Sequence, residues 1–205
     1  MPFGDLNGDG CNDVLVRMTD GTLRGYRPDC GKAPTPSTPY TPLGSGWGAY
    51  NVLTSPGDLT GDGRADLIAR KTSTGDIHLF AATGDGKLKA GVKIRSGWTY
   101  THIVGAGDLT GDGHGDLLAR DRSGELWRYD GTAAGQFRNR VLVFSDWGAS
   151  YNAIVGVGDV TGDGRADLVE RDTAGNLYRN NGNGKGTFTG RTKIGTGWGG
   201  YKGLF

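Results

Sequence analysis

Long apolar runs are missing from this sequence of 205 residues: none approaches the roughly 20 residues that a membrane-spanning helix needs. An excess of one charge is missing too. With 23 Lys and Arg against 22 Asp and Glu the net charge is +1, and no polybasic run offers itself to nucleic acid. Histidine occurs only as His78, His102 and His114, and no Gly-x-Ser-x-Gly elbow, His-Glu-x-x-His pair or Cys-His arrangement is present. No secretory leader opens the chain. Met1 before Pro2 reads as an added start, and an exported form is expected to have been trimmed. Cysteine is limited to Cys11 and Cys30, on neighbouring predicted strands. A disulfide between them would imply an oxidising compartment; two free thiols are the alternative.

Glycine, by contrast, is abundant, and its 40 copies fall at repeated places, as turn residues do and disordered tracts do not. Together with 35% apolar content they exclude a coiled coil. The chain is organised around one nine-residue stretch. Asp58-Leu-Thr-Gly-Asp-Gly-Arg-Ala-Asp66 returns as residues 108–116 and 159–167, and an earlier copy fills 5–13. Carboxylates stand at positions 1, 5 and 9, a hydroxyl or amide oxygen at position 3, and glycines at 4 and 6. Such a loop can wrap oxygen ligands round a hard cation such as calcium. Asp-Gly pairs alone would account for tight turns, but three carboxylates in one short loop repel one another without a counter-charge. The loop is not an EF-hand. Its twelfth position, where a helical hand places a bidentate Glu, holds Val16, Ala69, Ala119 or Glu170, and each loop runs into a short apolar strand rather than a helix.

The first Asp of each loop lies at 5, 58, 108 and 159, so the period is 53, 50 or 51 residues. In every period an apolar strand ends in Arg17, Arg70, Arg120 or Arg171, followed by a glycine turn and an alternating second strand. A third strand then leads to Trp47, Trp98, Trp147 or Trp198, a nearby Tyr and a fourth strand such as Ile103-Val104. Four short strands per period of about 50 residues predict β-propeller blades, hence an all-β, four-bladed propeller occupying 1–205 as one domain. In the first period, residues 28–42 hold five prolines, so its third strand is expected to be irregular or at the outer edge. Each internal Tyr precedes the next loop Asp by eight residues; joining Phe205 to Pro2 gives eight again from Tyr201 to Asp5. This count predicts a ring closed by pairing of the C-terminal strand with the N-terminal blade.

The Asp-x-[Thr/Asn]-Gly-Asp-Gly-x-x-Asp loop within a blade of this length resembles the FG-GAP or VCBS repeats of integrin-type propellers. The resemblance covers the whole chain and implies calcium, up to four ions, held by side chains at 1, 3, 5 and 9 and the carbonyl at 7. The ligands so implied are Asp5, Asn7, Asp9, Cys11 and Asp13; Asp58, Thr60, Asp62, Arg64 and Asp66; Asp108, Thr110, Asp112, His114 and Asp116; and Asp159, Thr161, Asp163, Arg165 and Asp167. Thr at position 3 departs from the family's usual Asp or Asn and is a weaker ligand. The stretches Arg120 to Arg128 and Arg171 to Arg179 are also similar to terminal domains of secreted actinobacterial hydrolases and to lectin-type propellers.

An aromatic at one place in every blade either packs between blades or offers a platform for a sugar face. The candidates for carbohydrate contact are Trp47, Tyr50, Trp98, Tyr100, Trp127, Trp147, Tyr151, Trp198 and Tyr201, with Trp127 expected to be exposed because no other blade has a Trp there. The recurrent arginines are expected to pair with loop carboxylates or carbonyls. Every carboxylate pair is better used by the loops than by catalysis, so no enzymatic activity is expected. The leading expectation is a secreted, calcium-stabilised lectin-like module with two to four equivalent sites. Its target would be a microbial surface glycan or cell-wall polysaccharide, and it would serve a larger hydrolase or toxin through a fused catalytic domain or partner protein. The alternative is an integrin-like scaffold for protein partners with purely structural calcium.

Overall fold

The computed structural model describes residues 1–147 and 150–201. It is all-β, with four four-stranded antiparallel sheets in the four-bladed arrangement of propeller repeats. The chain divides into two compact units, Met1–Trp98 and the part from Thr99 onward. In the first unit, blade 1 comprises β1 (Pro2–Phe3), β2 (Asp13–Arg17), β3 (Leu23–Tyr26) and β4 (Tyr40–Pro42). Blade 2 comprises β5 (Tyr50–Gly57), β6 (Asp66–Lys71), β7 (Ile77–Phe80) and β8 (Val92–Arg95). In the second unit, blade 3 is built from β9 (His102–Gly107), β10 (Asp116–Arg120), β11 (Leu126–Tyr129) and β14 (Val141–Phe144). A side hairpin of β12 (Gly131–Thr132) and β13 (Gln136–Phe137) leaves that blade between β11 and β14. Blade 4 is β15 (Tyr151–Gly158), β16 (Asp167–Asp172), β17 (Leu177–Gly182) and β18 (Phe188–Gly195).

Each blade is offset by one strand from the sequence period. The strand that closes a period, such as Ile103-Val104, is hydrogen-bonded to the strand after the next loop, with Ile103 opposite Ala119 and Val104 opposite Leu118. The loop therefore joins the first two strands of one sheet. Ring closure depends on residues 202–205, which lie outside the described residues.

Burial explains the strand sequences. The second strand of a blade is covered on both faces, and Asp66 to Ala69 and Asp116 to Ala119 are all buried, so these strands read as continuous apolar runs. Outer strands are mostly exposed, and Lys93, Arg95, Arg191 and Lys193 on them discourage edge-to-edge pairing. The proline-rich segment of blade 1 ends in the three-residue outer strand β4, with Pro42 opposite Arg24, as a chain without those amide donors requires. Cys11 and Cys30 form a disulfide that ties loop 1 to this segment. Closing a loop of sequence separation 19 is worth about 3 kcal/mol through the unfolded state.

Three of the recurrent arginines, Arg17, Arg120 and Arg171, donate to main-chain carbonyls, and Arg70 donates to Asn51 Oδ1 at 2.9 Å. Arg17 Nη1 donates to the carbonyls of Trp47, at 3.2 Å, and Tyr50. Arg171 Nη1 donates to those of Trp198 at 3.0 Å and Tyr201 at 2.6 Å, and Arg120 Nη1 to that of Tyr151 at 2.7 Å. The shared geometry of the Trp-to-Tyr turn in these blades is thus held by a guanidinium from the neighbouring strand.

Candidate functional site

The four loops share one hydrogen-bonded design. In loop 2, Asp58 Oδ1 accepts from Gly61 N at 2.7 Å and Asp62 N at 3.3 Å, and its Oδ2 accepts from Gly63 N at 2.7 Å. Asp5, Asp108 and Asp159 repeat this capping. Gly61 and Gly63 have φ of 75° and 83°, which is why positions 4 and 6 are glycine. The fifth-position carboxylates accept from the amide two residues on, as Asp62 does from Arg64 N at 3.1 Å. The ninth-position Asp is buried. Asp116 Oδ2 accepts from Leu109 N at 2.9 Å and Thr110 N at 3.1 Å, and its Oδ1 accepts from Gly131 N at 2.9 Å. Burial nonetheless pushes its carboxyl up to about 6, and raises Asp66 and Asp13 in the same way.

Backbone amides therefore supply much of the positive partner for which a cation was invoked. Among the described residues no three His, Cys, Asp or Glu side chains meet as metal ligands would. What does suit a hard cation is a set of unpaired oxygens at the ligand positions. Asn7 Oδ1 and Asp13 Oδ1 in loop 1, and Thr60 Oγ1 in loop 2, are buried without a hydrogen-bond partner among the described residues. Thr110 and Thr161 instead donate to Asp108 and Asp159, at 3.4 and 3.3 Å.

The platform aromatics divide sharply. Trp47, Trp98 and Trp147 are buried, Tyr100 is buried, and Tyr50 is half-buried. Trp198 and Tyr201 are exposed, their ring centroids 5.2 Å apart. Trp127 is half-buried rather than exposed: Arg140 lies over its ring at 3.8 Å, and its indole N–H donates to Asp121 at 2.8 Å. Its counterparts across the ladder are Arg24, His78 and Tyr178, each opposite the loop's twelfth position.

Blade 4 departs from the other blades at two matched positions. Val16, Ala69 and Ala119 are followed by Glu170, and Tyr26, Phe80 and Tyr129 are followed by Asn180. In blade 2 the Phe80 ring fills the space beside Trp47, at 4.7 Å, and Tyr50, at 5.8 Å, with Ala69 in the same cluster. In blade 3 Tyr129 meets Tyr100 edge-on, their hydroxyls 2.6 Å apart. Exchanging the large ring for Asn180 opens a cavity of about 320 Å³ in the second unit, and Glu170 lines its polar side. Its aromatic walls are Phe144, Trp147, Tyr151 and Phe188, and Arg191 closes one side.

Polar groups in this cavity are incompletely paired. Glu170, 1% exposed, binds Arg191 Nε through Oε1 at 2.9 Å, and the guanidinium lies 3.5 Å above the Tyr178 ring. Glu170 Oε2, Asn180 Nδ2 and Trp147 Nε1 are buried with no hydrogen-bond partner among the described residues. By contrast, Trp47 Nε1 reaches Leu43 O at 3.1 Å. Burial raises the Glu170 pKa, and the neighbouring Asn180, Arg191 and Trp147 side chains pull it down. An unsatisfied buried polar atom costs about 1–3 kcal/mol, so a ligand that pairs all three recovers a substantial free energy. Sequence reasoning placed Trp147 and Tyr151 in a site but missed Glu170, Asn180, Phe188 and Arg191. The available signal was Glu170, the one acidic residue at a position otherwise Val or Ala.

Blades of four antiparallel strands, with an acid-lined glycine loop between the first two, define a propeller of acid-loop repeats. The chain belongs to the FG-GAP-like repeat family, whose pattern matches residues 5–69, 58–119 and 108–170. No curated protein matches the sequence. Among solved structures, a lectin from Agrocybe aegerita described as recognising non-reducing terminal N-acetylglucosamine is 22% identical with a TM-score of 0.56. The likeness covers 93% of this chain and 50% of the lectin chain. The Tc holotoxin pore of Photorhabdus luminescens is 18% identical with a TM-score of 0.52, over 94% of this chain and 9% of that one. These likenesses show the fold. This chain spans half the length of the lectin chain and about a tenth of the toxin chain.

Proposed function

We propose that the chain is a non-catalytic carbohydrate-binding module whose principal site is the blade 4 cavity. The observation that carries this reading is the aromatic-walled cavity with three unpaired buried polar atoms, at the one blade where the filling ring is lost. Aromatic walls take the apolar faces of a sugar ring, while Glu170, Asn180 and Trp147 hydrogen-bond its polar groups. The lectin among the structural relatives is consistent with this use of the fold. The disulfide favours secretion, and a glycan at a microbial surface or in a cell wall is the target we infer, with the module serving a larger hydrolase or toxin. Binding of glycans on an array, confirmed by calorimetry, tests the reading. Asn180→Phe restores the ring of the other blades and is expected to abolish binding while the fold is kept. Equal retention by this variant, or an array on which nothing binds, would sink the proposal.

Calcium is proposed for loop 1 before the others. Asn7 and Asp13 would offer their unpaired oxygens there, joined by Asp5, Asp9 and the Cys11 carbonyl; the bound ion would stiffen the loop. Calcium added to chelated protein at about 100 times its dissociation constant is expected to stabilise the fold by about 2.7 kcal/mol. A melting temperature that millimolar calcium leaves unmoved in the wild type, or moves equally in Asp13→Ala, counts against the assignment.

A further inference from the structure

We propose that the outer edge of blade 3 is a self-association surface, and that its partner is β14 of a second copy of this chain. One residue sets this edge apart. The outer-strand residues opposite Arg24, His78 and Tyr178 are Pro42, Lys93 and Lys193, and each of them obstructs the approach of another strand. At the matching place in blade 3, opposite Trp127, stands Leu142. The whole of β14, Val141-Leu-Val-Phe144, carries no charge and no proline, and Val141 and Leu142 are exposed. A bulge beside this residue recurs in blades 2 and 4, so it does not distinguish β14; the missing charge does. The neighbouring Arg140 is no substitute, since its guanidinium lies over the Trp127 ring at 3.8 Å and donates to the Tyr100 hydroxyl at 2.8 Å. Among the described residues no strand pairs with the outer side of β14, which presents a row of backbone N–H and C=O groups to another chain.

The charges near this run lie at its two ends and differ in sign. Arg138 precedes Leu142 by four residues and Asp146 follows it by four, and both are exposed. An antiparallel pair centred on Leu142 sets Leu142 against its own copy, Val141 against Val143 and Arg138 against Asp146. Two-fold symmetry makes that ion pair twice. A parallel pair in register would instead set like charges together at both ends. A strand of another protein fits this edge only if it repeats the same order of charge, which a second copy does by construction. Phe144 belongs both to β14 and to the wall of the blade 4 cavity. A pair joined here therefore carries two cavities on one particle, and two weak sites together hold a dense glycan surface with avidity. The self-association itself does not rest on the glycan reading.

Sedimentation velocity of the full chain, without ligand, tests the surface up to about 100 μM, where a short edge with a micromolar dissociation constant is mostly dimer. Leu142→Lys gives blade 3 the residue of blades 2 and 4. It is expected to be monomeric throughout, with the melting temperature of the wild type. Arg138→Glu is expected to weaken the dimer about tenfold, because the symmetry counts the reversed pair twice, and adding Asp146→Arg is expected to restore it. A wild type that stays monomeric at the highest concentration overturns the proposal. So does a dimer that Leu142→Lys leaves intact, or one that Arg138→Glu does not weaken.

Discussion

Gly156→Ala is expected to destabilise the second unit so severely that its cooperative melting transition is lost or moves down by more than ten degrees, roughly the effect of 3 kcal/mol in a domain of this size. Gly156 lies on β15 beside β9, the first strands of adjacent blades. A Cβ built there would sit 1.9 Å from Gly105 O, 3.0 Å from Gly105 C and 3.1 Å from Ala106 Cα. All three are backbone atoms, so no side chain can swing away; the two strands must part. Between them lies the cluster of Ala106, Leu109, Leu118, Ile154 and Leu168, which would be pulled apart with them. Overpacking by a flexible side chain costs about 1–3 kcal/mol, and a clash between the backbones of two strands, each held in its own sheet, exceeds that range. Gly200→Ala is the control, because a Cβ there meets nothing within 4 Å. Circular dichroism melts of the two variants decide it: if Gly156→Ala melts with the control, the strands do not approach as closely as described.

The same close approach shows what the sequence could and could not convey. Period, loop, strand count and the outer position of the proline-rich strand were all legible, because each depends on residues close together in the chain. The glycines at positions 4 and 6 were legible for the same reason, through the left-handed conformation that Gly61 and Gly63 adopt. Sheet membership was not. The period begins at the loop, whereas the sheet begins one strand earlier, and only hydrogen bonding between residues such as Ile103 and Ala119 reveals it. The cavity was illegible for a related reason. Glu170 could be seen as odd at its position, but Asn180 lies opposite Leu168, and Arg191 lies opposite Asn180, only once the register of β16, β17 and β18 is known. The ninth-position Asp was read as a ligand; its amide partners at Gly131 and Gly182 are 15 residues away, beyond what a loop motif can indicate.

That latch between loop and third strand carries the second large effect. Asp116→Ala is expected to cost about 3 kcal/mol or more, because Leu109 N, Thr110 N and Gly131 N all lose their acceptor in a place where water does not reach. The wild-type carboxyl also gives the variant a pH signature. Its folded pKa of about 6 lies above the ordinary value of 3.8, so the native state binds the proton more tightly than the unfolded chain does. The stability this contributes is fully present below about pH 4 and is lost as pH rises through 6. A rise of that size in the carboxyl's pKa corresponds to about 3 kcal/mol over that window. Other carboxyls titrate too: Asp121 is held down to about 2 by hydrogen bonds from Ser123, Trp127 and Glu125, and it loses stability on the acid side instead. The difference between wild type and Asp116→Ala removes those shared contributions. In chelator, urea midpoints taken from pH 4 to pH 7 should therefore show a penalty for the variant that is largest near pH 4 and shrinks toward pH 7. Calcium, where it binds this loop, would hold Asp116 ionised and flatten the same curve. A penalty that grows with pH in chelator would mean that the carboxylate, and not the acid, is the form the fold prefers, with the three amides outweighing its burial.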